Sequence, residues 1–240
     1  MGGGEAVKGT LYGVGVGPGD PDLITLKAKR LIEAAPVIAY PAPDTGDSLA
    51  RAIAAPHIPA GRTEIAIRTP MVPDAAPAHD VYDRTAREIA VHLDAGRDVA
   101  VLCEGDPFFY GSFMYVFARL AGTHRTEIVP GVSSLGACTA AAGLPLVSRN
   151  QVLVVVPAPL DEAILEARLG DAEAAAIVKV GRHLAKVRRV LDRLDRSAGA
   201  RYIERASMVN QRVLSLSEAG DGPAPYFSMI LVGGRAELTR

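Results

Sequence analysis

Gly13-Val14-Gly15-Val16-Gly17-Pro18-Gly19-Asp20 ends a β-branched, apolar run that begins at Thr10, and its reading decides the fold. Thr10–Val16 reads as a buried strand stopped by glycine and proline. Asp20-Pro21-Asp22 then supplies a turn, with Asp22 as the expected N-cap. The helix that follows places Ile24, Ala28, Leu31 and Ala35 on one apolar stripe. Strand, glycine-rich turn and helix open an α/β fold. The octapeptide invites a dinucleotide-binding reading, and that reading fails on spacing. The GxGxxG fingerprint needs a third glycine at its sixth position, where counting from Gly13 gives Pro18 and from Gly15 gives Asp20. Proline carries no N–H and fixes φ, so Pro18 blocks the amide cradle a pyrophosphate requires. The spacing suits backbone passing close to a ligand that has no phosphate; a tight turn with no ligand is the competing reading.

Outward from that loop the same rhythm repeats. Val37–Tyr40 is a short strand, and the proline-rich stretch Ile58–Pro77 reads as a surface excursion. A helix with Tyr82, Ala86, Ile89 and Leu93 on one face closes at Gly96. Asp98–Cys103 is a buried strand, followed by a helix to Leu120, a strand Glu127–Val129 and an alanine-rich helix to Ala142. After the connector GLPLVSRN the rhythm restarts with strands Val152–Val156, Ala175–Val180 and Arg201–Ala206, and helices Leu160–Leu169 and Leu184–Leu194. Arg212–Leu216 and Pro225–Val232, joined by a Gly/Pro loop, read as an antiparallel hairpin. The expectation is two α/β/α domains, residues 1–145 and 146–240.

Composition narrows the function. Hydrophobic residues make up 49% and charged residues 22% of 240, the balance of an ordinary globular protein. A formal net charge of −1 gives no basic field for nucleic acid. The basic cluster Lys186, Arg188, Arg189 and Arg193 reads as a solvated helix face. MGGGEAVKG lacks the apolar core of a secretory signal, and no apolar run is long enough to span a bilayer. Two cysteines without CxxC spacing fit a reducing, cytoplasmic setting, and the five histidines form no local metal-ligand pair.

Three glycine-containing loops follow buried strands: GVGVGPGD, EGDPFFYG and PGVSS. Ligands of α/β sheets bind outside the carboxyl ends of strands, so the three loops together predict one binding floor. Gly105-Asp106-Pro107 puts a carboxylate where it can accept from ribose hydroxyls or an amino group; capping the next helix is its structural alternative. Ser133 and Ser134 open a helix and can cap it.

GVGVGPGDPDLIT, CEGDPFFYGSFMY and PGVSS, in that order and spacing, resemble the tetrapyrrole (corrin/porphyrin) methylases over essentially the whole chain. The resemblance implies two α/β/α domains with S-adenosylmethionine held in the cleft between them, S-adenosylhomocysteine as product, and a homodimer. Carried over by position, Val16, Pro18, Gly105, Asp106, Phe109, Ser133 and Ser134 border the cofactor from the first domain. Val178, at a position where the family usually has methionine, joins Ala206, Met229 and Ile230 from the second. Within the family, GDPFFYGSFMY, VKVGRH and YFSMILVGG are most similar to members that methylate precorrin-2 at C-20 in cobalamin biosynthesis.

Such a reaction needs orientation, exclusion of water and a base for the C-20 proton. Asp106 and Tyr110 are the candidate catalytic groups, with Tyr110 and Tyr115 expected on one helix. Arg68, Arg149 and Arg182, expected in loops, and Tyr115 are candidates for holding the carboxylate-rich tetrapyrrole. A cobalt-containing substrate remains open, as do other activities of the family, on uroporphyrinogen III or on the protein substrate of diphthine synthase. A nucleotide-binding dehydrogenase and a non-catalytic ligand sensor are the readings from other classes.

Overall fold

The computed structural model describes residues 7–69, 76–220 and 222–234. The chain divides into two compact units, Met1–Ser133 and Ser134–Arg240. The first contains β1 (Leu11–Gly15), α1 (Leu26–Ala34), β2 (Val37–Pro43), α2 (Leu49–Ala54) and β3 (Thr63–Thr69). It continues with α3 (Ala76–Asp94), β4 (Val99–Cys103), α4 (Phe113–Leu120) and β5 (Thr126–Val129). The second contains α5 (Ser134–Ala142), β6 (Leu153–Pro157), α6 (Glu162–Gly170), β7 (Ala174–Val178) and α7 (Leu184–Arg193), then β8 (Ala200–Glu204), β9 (Arg212–Ser215) and β10 (Ser228–Val232).

The first sheet is parallel throughout, in the order β3-β2-β4-β1-β5. Its central strand β4 is apolar on both faces because helices cover both, while the edge strand β3 alternates. On β4, Val99, Val101 and Cys103 join Ile89 and Leu93 of α3 and Phe113 and Val116 of α4 in one core. Ala100 and Leu102 face the other way, into a core with Ala28 and Ile32 of α1 and Ile53 of α2. Burial raises the Cys103 thiol to about 11, so it packs there as a small neutral hydrophobe. The crossover leaving β1 runs to β2 on one side, and the crossover leaving β4 runs to β5 on the other. The carboxyl ends of β1 and β4 therefore flank a topological switch point, where open α/β sheets bind ligands.

The second sheet runs β6-β7-β10-β8-β9. Leu165 and Leu169 of α6 and Leu184, Val187, Val190 and Leu191 of α7 fill the core on one face. Each such side chain contributes about 1.5–3 kcal/mol when fully buried. The basic cluster on α7 is less solvated than expected. Arg193 pairs with Glu162 and Glu166 and Arg189 with Glu162, while Lys186 and Arg188 donate to the Leu160 and Gly220 carbonyls.

Several expectations need correction. The unit boundary lies at Ser133/Ser134, not at 145/146, because Ala137 and Cys138 of α5 pack against Ala174, Ala176 and Met229 of the second sheet. The terminal hairpin is not formed: β9 and β10 both pair antiparallel with β8, which lies between them. Residues 63–69 are an edge strand rather than a surface excursion, with Ile65 and Ile67 turned into the core; residues 70–75 of that stretch lie outside the described residues. Thr25, not Asp22, caps α1, accepting from the Ala28 N–H at 3.2 Å, while Asp20 caps the short 3-10 turn before it.

Candidate active site

Three loops meet at the switch point through their backbones. The Val16 N–H donates to the Cys103 carbonyl (2.9 Å), Gly105 N–H to Gly17 carbonyl (2.7 Å) and Gly17 N–H back to Gly105 carbonyl (3.3 Å). So close an approach leaves no room for side chains. A Cβ on Gly131 would lie 2.0 Å from the Gly105 carbonyl oxygen, and one on Gly15 2.6 Å from the same atom. Gly17 and Gly105 also sit at φ 79° and 63°, in the left-handed region. Val16 is fully buried in the core and Pro18 is buried in the loop, so Val16 can meet a ligand through its main chain alone.

Asp106 ties the second and third loops together. Its Oδ1 accepts from the N–H groups of Phe108 (2.9 Å) and Phe109 (3.1 Å), and its Oδ2 from the Gly131 N–H (3.1 Å). Two acceptances fill Oδ1, while Oδ2 keeps one lone pair for a further donor. The turn Asp106 caps is followed by Gly111, where a Cβ would strike the carbonyls of Asp106 and Pro107 at 2.5 and 2.4 Å. Phe108, Phe109 and Tyr110 are pushed outward, 45%, 39% and 46% exposed.

Tyr110 adopts φ 59°, a strained conformation for a non-glycine residue that functional sites often keep. It precedes α4 instead of sharing a helix with Tyr115, and its ring meets Phe109 edge-on at 5.3 Å. Tyr115 stacks on Tyr82 of α3 at 4.8 Å. Ser133 is partly buried, and Ser134 is exposed as the first residue of α5.

Glu104 is the group that the sequence did not single out. It follows β4 directly, immediately before Gly105-Asp106, is partly buried, and accepts from the Ala50 N–H at the start of α2 (3.2 Å). Burial pushes its carboxyl above the usual carboxylate range, against the pull of the backbone amides of Glu104 and Ala50.

Within the second unit, the carboxyl ends of β7 and β8 carry three left-handed non-glycine residues: Lys179 (φ 57°), Arg205 (50°) and Ser207 (67°). Val178, Ala206 and Met229 share the sheet face that α5 covers. The Ile230 side chain lies in the opposite core with α6 and α7, so Ile230, like Val16, can meet a ligand through its main chain alone. Arg149, exposed at φ 48°, and Arg182, exposed in a 3-10 turn after β7, keep the loop positions expected. Arg68 does not: it lies on β3, and its Nη1 donates to the Pro43 carbonyl at 2.7 Å, bracing the turn before α2. No three His, Cys, Asp or Glu side chains converge into a metal-sized group among the described residues.

A family model for the tetrapyrrole (corrin/porphyrin) methylases matches residues 10–220. The chain belongs to that family. A curated relative, the cobalamin biosynthesis protein CobIJ of Mycobacterium tuberculosis, is 44% identical over 96% of this chain and 47% of its own length; this chain thus spans about half of it. The precorrin-2 C(20)-methyltransferase of a Sinorhizobium species is 42% identical over 94% of this chain and 96% of its own. Among solved structures, the uroporphyrin-III C-methyl transferase of Thermus thermophilus complexed with S-adenyl homocysteine superposes with a TM-score of 0.67. Its identity is 28%, over 93% of this chain and 97% of that one.

The loops of this chain differ chemically from a nucleotide cradle. Pro18 offers no amide, and Asp106 places a carboxylate between the second and third loops. A carboxylate at this position suits a cationic ligand and repels a pyrophosphate.

Proposed function

We propose that this chain transfers a methyl group from S-adenosylmethionine to C-20 of precorrin-2, a step of cobalamin biosynthesis, releasing S-adenosylhomocysteine. The observation that carries this reading is the 42% identity to the Sinorhizobium C(20)-methyltransferase over nearly the full length of both chains. The acidic, glycine-lined switch point supports the cofactor part. When bound, the cofactor supplies its methyl group as an electrophile on a positively charged sulfur. Asp106 keeps one lone pair on Oδ2 for a cofactor hydroxyl or amino group, and the backbone of Val16 to Pro18 lies alongside. Ser133 and Phe109 complete the first unit's share; Ser134, Val178, Ala206 and Met229 are the second unit's candidates. Tyr110, Tyr115, Arg149 and Arg182 remain assigned to the tetrapyrrole.

Incubating the protein with S-adenosylmethionine and metal-free precorrin-2 should yield a product one methyl group heavier, with the new methyl at C-20 by NMR. Preference for the cobalt-loaded substrate would reassign the substrate, and methylation elsewhere on the ring would overturn the reading. Titration calorimetry should show binding of S-adenosylhomocysteine and none of NAD. The same reading places the protein in the cytoplasm as a homodimer. The free, buried Cys103 and Cys138 fit a reducing compartment, and light scattering tests the dimer.

A further inference from the structure

C-20 methylation releases a proton, and Asp106 is poorly placed to take it. Three backbone N–H groups already engage its two oxygens, which is the arrangement of a loop organiser. Glu104 is differently situated. It stands at the carboxyl end of β4, the strand beside the switch point, and directly precedes the Gly105 that bonds to Gly17. Among the described residues its carboxyl accepts one hydrogen bond from another residue, through Oε1 from the Ala50 N–H. Most neighbouring charges are committed elsewhere, and Arg30 of α1 is exposed on the helix surface. Arg51, the charged residue of α2, forms a two-point ion pair with Glu64 of β3 at 2.8 and 2.9 Å. Tyr40 of β2 hydrogen-bonds that same pair, and Cys103 on β4 is a neutral thiol on the opposite face. On α1, Lys27 pairs with Glu127 and Lys29 with Glu33.

Resting on the methyl-transfer reading above, we propose that Glu104 is the base that accepts the proton lost from C-20. The macrocycle's electron pair forms the new C–CH3 bond while the S–CH3 pair stays on sulfur. The C-20–H bond then breaks, its electrons return to the macrocycle, and the proton passes to the Glu104 carboxylate and on to solvent. Partial burial with no cationic partner among the described residues favours such a role, because desolvation raises the basicity of the carboxylate toward the working pH.

Glu104→Gln separates ionisation from packing, since the amide oxygen can still accept from Ala50 N–H. The full-length variant should bind S-adenosylhomocysteine as the parent does and be at least as stable, yet lose about 100-fold or more in single-turnover methylation. With deuterium at C-20 it should show a primary isotope effect, because proton loss becomes limiting. Glu104→Asp should recover part of the rate with a shifted acid limb. Retention of the parental rate and pH profile by Glu104→Gln overturns the proposal. So does a loss of rate accompanied by equal losses of cofactor affinity and thermal stability, which marks a structural role. The parent protein run alongside keeps the two hypotheses distinct. If it fails on precorrin-2 but methylates another tetrapyrrole, the substrate assignment falls while the Glu104→Gln comparison proceeds on that substrate with deuterium at its methylated carbon.

Discussion

Gly17 and Gly105 hydrogen-bond to each other in both directions, at 2.7 and 3.3 Å, and so lock the turn after β1 to the turn after β4. The contact is an isolated antiparallel bridge added to the end of a parallel sheet. Its existence depends on neighbouring glycines, above all Gly131, whose Cα packs beneath the Gly105 carbonyl.

Gly131→Ala should accordingly spread the three loops. The new methyl carbon has the Gly105 oxygen 2.0 Å away, and backbone cannot give way as a flexible side chain does. A loss of about 1–3 kcal/mol is expected in denaturant unfolding, with S-adenosylhomocysteine affinity reduced at least about tenfold. Gly122→Ala, where no atom lies within 4 Å of the added carbon, is the control and should change stability by less than about 0.5 kcal/mol.

Asp106→Ala removes the acceptor for three N–H groups at once. Stability should fall by about 1–3 kcal/mol, and cofactor binding should weaken strongly in calorimetry. Asp106→Asn keeps an oxygen for Phe108 and Phe109 and should retain more of both. If Asp106→Ala bound cofactor normally but failed to turn over, Asp106 and not Glu104 would hold the proton.

Gly13 and Phe113 form a second steric pair. An added Cβ at Gly13 would fall 2.3 Å from the Phe113 ring, which is 1% exposed. Gly13→Ala alone should cost about 1–3 kcal/mol, and Phe113→Leu alone a comparable amount through the space it leaves. Combined, each relieves the other, so the double variant should be about 1 kcal/mol or more better than additivity predicts.

The Glu104 carboxyl titrates higher in the folded protein than in the unfolded chain because burial disfavours its charge. Its favourable contribution is therefore fully present below the unfolded value of about 4.3 and is lost as pH rises through the folded one. Glu104→Gln should be more stable than the parent at pH 8, with the advantage shrinking toward pH 4. Urea midpoints measured across that range provide the test.

Much of this architecture was legible because parallel strands covered on both faces are apolar throughout, as Val99–Cys103 and Ala174–Val178 are. What escaped depended on partners. Val213 and Met229 lie in strands that look alike whether they pair with each other or with Ile203 between them. Thr63–Thr69 alternates as an edge strand should, but flanking prolines and glycines masked it. The loops could be read from glycine spacing, since backbone crowding demands glycine wherever it occurs. Glu104 could not, because its burial comes in part from α2, which nothing in Leu49–Ala54 distinguished from a connector.

The position of β10 bears on how the molecule comes together during synthesis. It fills the centre of the second sheet, between β7 and β8, yet it is the last of the five strands to leave the ribosome. Until Ser228–Val232 emerges, β6–β7 and β8–β9 are two ribbons, each with an apolar edge open to other chains. The first sheet has no such debt, since all five of its strands precede Ser133. Nascent chains halted shortly before residue 228 are thus the species most prone to aggregate, and the ones for which chaperones would matter.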